Sequence, residues 1–458
     1  MLGKMLDVDI AELIKAREFG ALKIALDELP PADVAEILVD LPDGDEAVLF
    51  RLMPRRLAAE AFSYMSAADQ EALLAQLHGE TLANILNDMS PDDRTRLLEE
   101  LPGQVTQRLL TVLSPEELKV TRQLLGYPEG SIGRLMTPEY VAVKLDMTVA
   151  DVVALLRSIG SDRETMNVLY VVDDRGKLLD DVRLGQIVLA EPGQKISDIV
   201  DFNFTALSAF EDREHAVAAF RRYGRVALPV TDSGGILLGI VTIDDVLEVA
   251  QQEAQEDLQK FGGHGALEES YFETGFFTMI RKRATWLVVL LSGGMLTTNA
   301  LEAYQASFEA LPILVLFFQM VIGSGGNSGT QSASLILQGL AVREITLADW
   351  WRVLIRELLT GLTLGLILAG FGFGRVLFSD HSEHSQRVAA TVALALVGVV
   401  TVGSIAGAML PLLFKRLGAD PAVTSSPFIA TLVDVTGIIL YFTFANLLLA
   451  EVMAAAGS

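Results

Sequence analysis

Two hydrophobic rhythms divide this chain near residue 270. Beyond that point, uncharged stretches cover 284–301, 310–342, 358–374 and 388–414, and a fifth, 421–450, is broken only by Asp434. A bilayer crossing takes about 20 apolar residues, so the pattern predicts five membrane-spanning helices. Ahead of them, Leu29, Leu41, Met53, Met65, Leu77, Met89, Leu101 and Leu113 recur at a constant spacing of 12, most of them followed by Pro or Ser. Ser at an N-cap, Pro in the first turn and acids soon after are helix-start signals. Each beat therefore predicts one short helix and its turn. Pairs of them stack into a small solenoid whose hand the pattern leaves open. A second, longer repeat follows. Val171 to Gly176 matches Pro229 to Gly234 at an offset of 58, and each unit reads as helix, strand, Asp/Gly turn, strand, helix.

Charge sharpens this division. Residues 1–270 hold 25 Lys and Arg against 48 Asp and Glu, a net of −23, whereas residues 271–458 hold 10 against 11. So acidic a surface argues against nucleic acid as a partner. The 458 residues include no cysteine, which excludes thiol chemistry. The polar start predicts no signal peptide. Arg281, Lys282 and Arg283 precede the first apolar run, Arg343 and Arg352 follow the second, and Lys415 and Arg416 follow the fourth. The other two connections carry Glu302, Glu309, Asp380 and Glu383, with Arg387 alone at the edge of the fourth run. Because cytoplasmic loops carry the excess of Lys and Arg, the front half is expected in the cytoplasm and the C-terminus outside.

Candidate chemistry collects in two places. Asp244, Asp245, Glu248, Glu253, Glu256 and Asp257 crowd one helical segment just before the first span, offset only by Lys260. Like charges at i, i+3 and i, i+4 repel, so a divalent cation bridging them is the expected use of this helix, against the plainer reading of a solvated face. In the membrane half, Asp434 is the strong intramembrane acid, and a carboxylate in a span usually marks an ion pathway. The alternative for Asp434 is a pairing with Arg356 or with a polar neighbour on another helix. Gly323 to Gln331 is expected to interrupt the second span at depth, because its 33-residue uncharged stretch is too long for one straight crossing. Gly403, Ser404, Gly407 and Ala408 offer a small face for helix packing, and Gly370, Gly372 and Gly374 are expected to do the same. His381 and His384 read as an incidental loop pair.

The longer repeat resembles a pair of CBS modules. That likeness implies a regulatory domain in which Thr242 and Asp245 would grip the ribose and phosphate of ATP or another adenylate. Only the second unit carries such a pair. The whole order of segments resembles the MgtE family of magnesium channels, on Gly325-Gly326-Asn327-Ser328-Gly329 with Gln331, on Asp420-Pro421-Ala422, and on the run from Ala430 to Gly437. The resemblance implies a homodimer in the cytoplasmic (inner) membrane, with lipid around it and a Mg²⁺ pore between subunits. Asp434 would be the central ligand of that pore, with Asn327, Ala430, Ser426 and Asp420 contributing to it. It also implies closure by cytosolic Mg²⁺ bound at Asp212, Glu214, Asp244, Asp245, Glu248, Glu256 and Asp257, with Asp92 and Asp93 from the helical domain.

The expected fold is thus a multidomain membrane protein and not an enzyme. A helical solenoid occupies 1–130, an α/β CBS pair 131–243, an acidic connecting helix 244–272 and a five-span pore domain 273–458. Three positions depart from the family's pattern. Ser426 replaces a common Asn, Gln319 a common proline, and Gly224 an acid used by some members. The rival functions are an adenylate-gated transporter of a small organic solute and an anion channel with CBS modules.

Overall fold

The computed structural model describes residues 10–456 apart from 11, 12, 15, 17, 28, 42–44, 78, 102, 160–162, 268–270, 272, 273 and 381. His381 therefore lies outside the described residues. The chain forms two compact units, Met1–Gln252 and Glu253–Ser458.

The first unit opens with short helices in the predicted metre. After α1 (Phe19–Asp27) come α2 (Pro31–Asp40), α3 (Asp45–Leu52), α4 (Arg55–Ser63), α5 (Ala67–Gln76) and α6 (Glu80–Asp88). They continue with α7 (Pro91–Glu100), α8 (Gly103–Leu110) and α9 (Pro115–Leu125). Leu41, Leu77, Met89 and Leu101 each close a helix in extended conformation and turn their side chains into one continuous core. The beat therefore marks the point where each turn plunges inward. Ser66 and Ser114 accept from the backbone N–H of Asp69 and Glu117, the N-caps their positions predict. Arg94 lies fully buried among these helices. Its guanidinium donates to Thr121 Oγ1 (2.9 Å), to the carbonyls of Leu86 (2.9 Å) and Met89 (3.3 Å), and to Glu117.

After the short α10 (Ile132–Leu135), two copies of one α/β unit follow. The first comprises β1 (Ala142–Val143), α11 (Val149–Ile159), β2 (Val168–Val172), β3 (Leu178–Arg183) and α12 (Leu184–Leu189). The second comprises β4 (Leu207–Ser208), α13 (Arg213–Tyr223), β5 (Ala227–Thr231), β6 (Leu237–Thr242) and α14 (Ile243–Phe261). Each makes a three-stranded sheet with one parallel and one antiparallel pairing. The hairpin turns repeat atom for atom. Asp173 Oδ1 accepts from the N–H of Arg175 and Lys177, and Asp232 Oδ1 from Gly234 and Ile236. Gly224, where some family members carry an acid, ends α13 at φ +59°, a left-handed position that favours glycine.

The acidic helix is shorter than the sequence suggested. Instead of continuing to residue 272, α14 stops at Phe261, where Gly262 and Gly263 (φ +79°) end it in a glycine cap. Among the described residues, five later helices are long and apolar enough to cross a membrane. They are α15 (Phe276–Ala303), α17 (Ile313–Ala341), α18 (Trp350–Ser379), α19 (Ser385–Arg416) and α20 (Ser426–Ala456), with the short α16 (Gln305–Ala310) after the first.

Two expectations about these spans need correction. The glycine-rich stretch does not break the second span, because α17 runs unbroken for 29 residues. Its glycines serve approach. A Cβ on Gly325 would sit 2.3 Å from Val399 Cγ1, and one on Gly329 would sit 3.0 Å from the Gly403 carbonyl oxygen. At about 1.5 Å per residue α17 is about 43 Å long, so it exceeds the roughly 30 Å hydrocarbon layer by extending past it or tilting. On α18, the glycines at close approach are Gly361, Gly365 and Gly372, while Gly370 and Gly374 have open space where a Cβ would go.

Candidate functional site

Asp434 sits in the third turn of α20, half-buried, with no hydrogen bond or ion pair among the described residues. Arg356 does not pair with it, so the alternative raised from the sequence fails. What faces Asp434 is the glycine run of α17. A Cβ on Gly326 would lie 4.0 Å from Asp434 Oδ1 and 3.6 Å from Ala430 Cα. The missing side chain lets α17 and α20 close up beside the carboxylate. Next to Gly326, the Asn327 side chain is exposed. Toward the start of α20, Ser426 Oγ lies 3.3 Å from Thr330 Oγ1. Asp434, Ala430, Gly326 and Asn327 thus gather on two neighbouring helices, with Ser426 two turns below Asp434 on α20.

Asp420 belongs elsewhere. Instead of joining Asp434, its Oδ1 caps the turn Pro421–Val423 by accepting from the Ala422 N–H (2.8 Å). Its Oδ2 accepts from Lys260 Nζ at 2.6 Å. Lys260 also pairs with Glu256, four residues earlier on α14. Burial raises the Asp257 carboxyl above the usual range, and the neighbouring Asp420 adds to that. Glu256, Asp257, Lys260 and Asp420 therefore form one charged knot within the second unit, just ahead of the fifth span.

Within the first unit, a denser acidic cluster joins α7 to the start of α14. Asp92 is 7% exposed, and its Oδ1 has no hydrogen-bond partner among the described residues. Burial, reinforced by Asp93, pushes its carboxyl up to about 6. Burial and then the Asp92 charge lift Asp245 well above the carboxylate range, opposed by the Thr242 hydroxyl that donates to Asp245 Oδ2 at 2.8 Å. Glu164 is pushed up to about 8 by burial and by Asp92 and Asp244. Sequence reading missed Glu164 and Glu139, which nothing in the linear pattern ties to α7. Glu139 is raised for the same two reasons, burial and Asp92. Arg96 crosses the cluster, pairing with Asp93 on its own helix and with Glu248 on α14. No three carboxylate or imidazole groups among the described residues converge as a ready-made metal shell.

Asp212 and Glu214 stand on a different helix from Asp92 and Asp245. Both are exposed at the start of α13, where Asp212 is the N-cap and accepts from the Glu214 N–H at 2.9 Å. Thr242 and Asp245, the candidate nucleotide pair, are bonded to each other as above.

An acidic helical module, a paired α/β module and five apolar helices with the Asp434 carboxylate among them define a membrane transport protein that carries folded domains ahead of its spans. Three family models match in that order: "MgtE intracellular N domain" over 29–130, "CBS domain" over 132–191 and 196–251, and "Divalent cation transporter" (MgtE) over 318–444. The magnesium transporter MgtE of Thermus thermophilus is 40% identical over 329 residues, 72% of each chain. That of Bacillus subtilis is 30% identical over 331 residues, again 72% of each. The chain belongs to the MgtE family, whose members are transporters and not enzymes. The crystal structure of the cytosolic domain of the Mg²⁺ channel MgtE in complex with ATP matches with a TM-score of 0.51 at 33% identity, covering 53% of this chain and 99% of that one. The soluble part of a magnesium transporter gives 0.53 at 25% identity, covering 55% and 99%.

Proposed function

We propose that this protein is a Mg²⁺-selective channel of the cytoplasmic membrane, open to inward flow down the membrane potential and closed by cytosolic Mg²⁺. The observation that carries this reading is Asp434, a carboxylate among apolar spans with no partner among the described residues, facing the glycine run of α17. Mg²⁺ gives up its water reluctantly and is usually held through water by one or two carboxylates. A homodimer with Asp434 from each subunit at the axis supplies that number, with Asn327, Ala430 and Ser426 offering further oxygens to the hydrated ion. An inside-negative potential of 100 mV favours entry of a divalent ion by roughly 4.6 kcal/mol, so no ATP hydrolysis is required.

Closure rests on the two acidic groups. Asp92, Asp93, Asp245 and Glu248 in one, and Glu256, Asp257 and Asp420 in the other, are carboxylates that a divalent cation would hold together and whose repulsion would part them without it. The unpartnered Asp92 Oδ1 supports a ligand there. Asp212 and Glu214 would contribute from the exposed start of α13. ATP or a related adenylate at the CBS pair, near Thr242 and Asp245, would tune the gate, as the ATP complex of the solved cytosolic domain suggests. The rival reading, an adenylate-gated transporter of a small solute, draws support from that same pair.

The test is Mg²⁺ current through the full chain in a voltage-clamped patch. Current should fall as Mg²⁺ on the cytoplasmic face rises, and Asp434→Asn should cut it at least about tenfold. Wild-type current through Asp434→Asn would remove the pore assignment, and current indifferent to cytoplasmic Mg²⁺ would remove the sensor.

A further inference from the structure

The membrane-spanning helices bury a second carboxylate that the sequence pattern placed at the margin of a span. Glu357 lies about 10 Å along α18 from its start at the helical rise, and it is 9% exposed. It continues a stripe of buried positions spaced by four, Val353, Gly361, Gly365 and Ala369, along which α18 lies against α19. A Cβ on Gly361 would meet Thr401 Cα at 2.8 Å and Ser404 Oγ at 3.2 Å. Glu357 reaches α17, where Ser332, itself 6% exposed, donates to Glu357 Oε2 at 2.6 Å. One turn earlier, Ser328 of α17 and Ser404 of α19 share a 2.7 Å hydrogen bond. Glu357 enters no ion pair among the described residues.

At the middle of the contact between α17 and α19, Gly325 meets Gly403 and Gly329 meets Gly407, backbone against backbone, with apolar side chains such as Val399 packed around them. Smooth glycine faces set how near two helices come but not their register, because dispersion contacts change little as one slides on the other. Directional hydrogen bonds do set register. On another face of the same stretch of α17 lies Gly326, opposite Ala430 and Asp434. We propose that Glu357 is a positioning residue for Mg²⁺ passage. Its hydrogen bond with Ser332 pins α17 from behind and holds Gly326 and Asn327 in place against Asp434. This rests on the reading of α17 and α20 as pore walls.

The experiment measures Mg²⁺ influx per folded protein and the thermal midpoint for the full chain in proteoliposomes. It compares wild type, Glu357→Gln, Glu357→Ala, Ser332→Ala and the double Ala variant, with Asp434→Asn as the pore control. Glu357→Gln keeps an oxygen that accepts from Ser332 and should hold influx within about twofold, whereas Glu357→Ala should lose about tenfold. Ser332→Ala should shift influx in the same direction, and the double variant should be no worse than Glu357→Ala, the mark of two residues acting through one bond. A lowered midpoint with unchanged influx in Glu357→Ala would make the residue packing only and overturn the proposal. Equal loss in Glu357→Gln and Glu357→Ala would also overturn it, since charge and not the hydrogen bond would then matter. Ser332→Ala removes only a hydroxyl and decides the question should Glu357→Ala fail to fold: unchanged influx there overturns the pin. Absence of Mg²⁺ influx in the wild type would instead sink the pore reading and this inference with it.

Discussion

A methyl group placed on Gly407 would sit 2.0 Å from the Gly329 carbonyl oxygen, and one on Gly403 would sit 2.4 Å from that of Gly325. Backbone cannot swing away as a side chain does, so Gly407→Ala must push α19 off α17. We expect about 1–3 kcal/mol of destabilisation, in line with overpacked cores. Gly374→Ala, with open space around it, should be neutral in the same thermal melt. An unchanged midpoint for Gly407→Ala would show that the two helices are not in close contact in the membrane. This is also where residue-level reading of the sequence reached its limit. The glycines from Gly323 to Gly329 stood out from their neighbours, but a glycine run serves a broken helix and a close-packed one equally well. Only the facing glycines on α19, 78 residues away for each pair, distinguish the two. Asp434 stands out in the sequence because it is one acid amid 29 uncharged residues. Glu357 does not, because Arg356 beside it and Arg352 one turn before it make it look like part of a charged boundary.

Among elements, the helical solenoid shows how far a pattern carries. A constant spacing of 12 located every helix from α2 to α9 to within a turn, because each beat residue is an apolar plug between two helices, in most cases followed by a Ser or Pro that starts the next. The pattern did not reveal what ties the helices together. Arg94 falls in an acidic-looking stretch, yet it is fully buried and joins α7 to the end of α6 and to α9 through Thr121 and Glu117. Replacing it strands buried acceptors, so Arg94→Gln should cost about 3–5 kcal/mol, as for one broken side of a buried ion pair. Arg96→Gln, which cuts two partly exposed pairs, should cost about 1 kcal/mol or less. Thermal melts and limited proteolysis of the full chain check the contrast. Equal losses would mean that the surface bridge, and not the buried fork, holds α7. The length of α14 was misjudged for a related reason: its run of acids carries no stop signal before Gly262 and Gly263, and acids alone do not tell a helix from an extended acidic connector.

Across the cytosolic unit the raised carboxyls make one joint prediction about pH and metal. Asp92 titrates at about 6 instead of 3.8, and Glu164 at about 8 instead of 4.5. Both folded values lie above the unfolded ones, so between these limits the folded chain binds more protons than the unfolded chain. Stability is then greatest on the acid side and is lost as pH rises, through about 4–6 for Asp92 and about 4.5–8 for Glu164. In EDTA, the melting temperature of the cytosolic transition should therefore fall as pH is raised from 5 to 8. Mg²⁺ reverses the balance, because a hard cation binds carboxylates only after their protons leave. With saturating Mg²⁺ the fall should flatten or invert. The Mg²⁺ needed to shut the current should rise as cytoplasmic pH drops from 8 to 6, since protons and Mg²⁺ compete for the same oxygens. Two of these groups, Asp92 and Asp245, sit on segments about 150 residues apart, and the Asp92 charge raises the Asp245 carboxyl. The competition therefore belongs to the docked arrangement and not to either helix alone. Asp92→Asn should reduce the pH slope in EDTA and the Mg²⁺ response together. Losing one while keeping the other would show that the proton-binding carboxylates and the metal-binding ones are different sets.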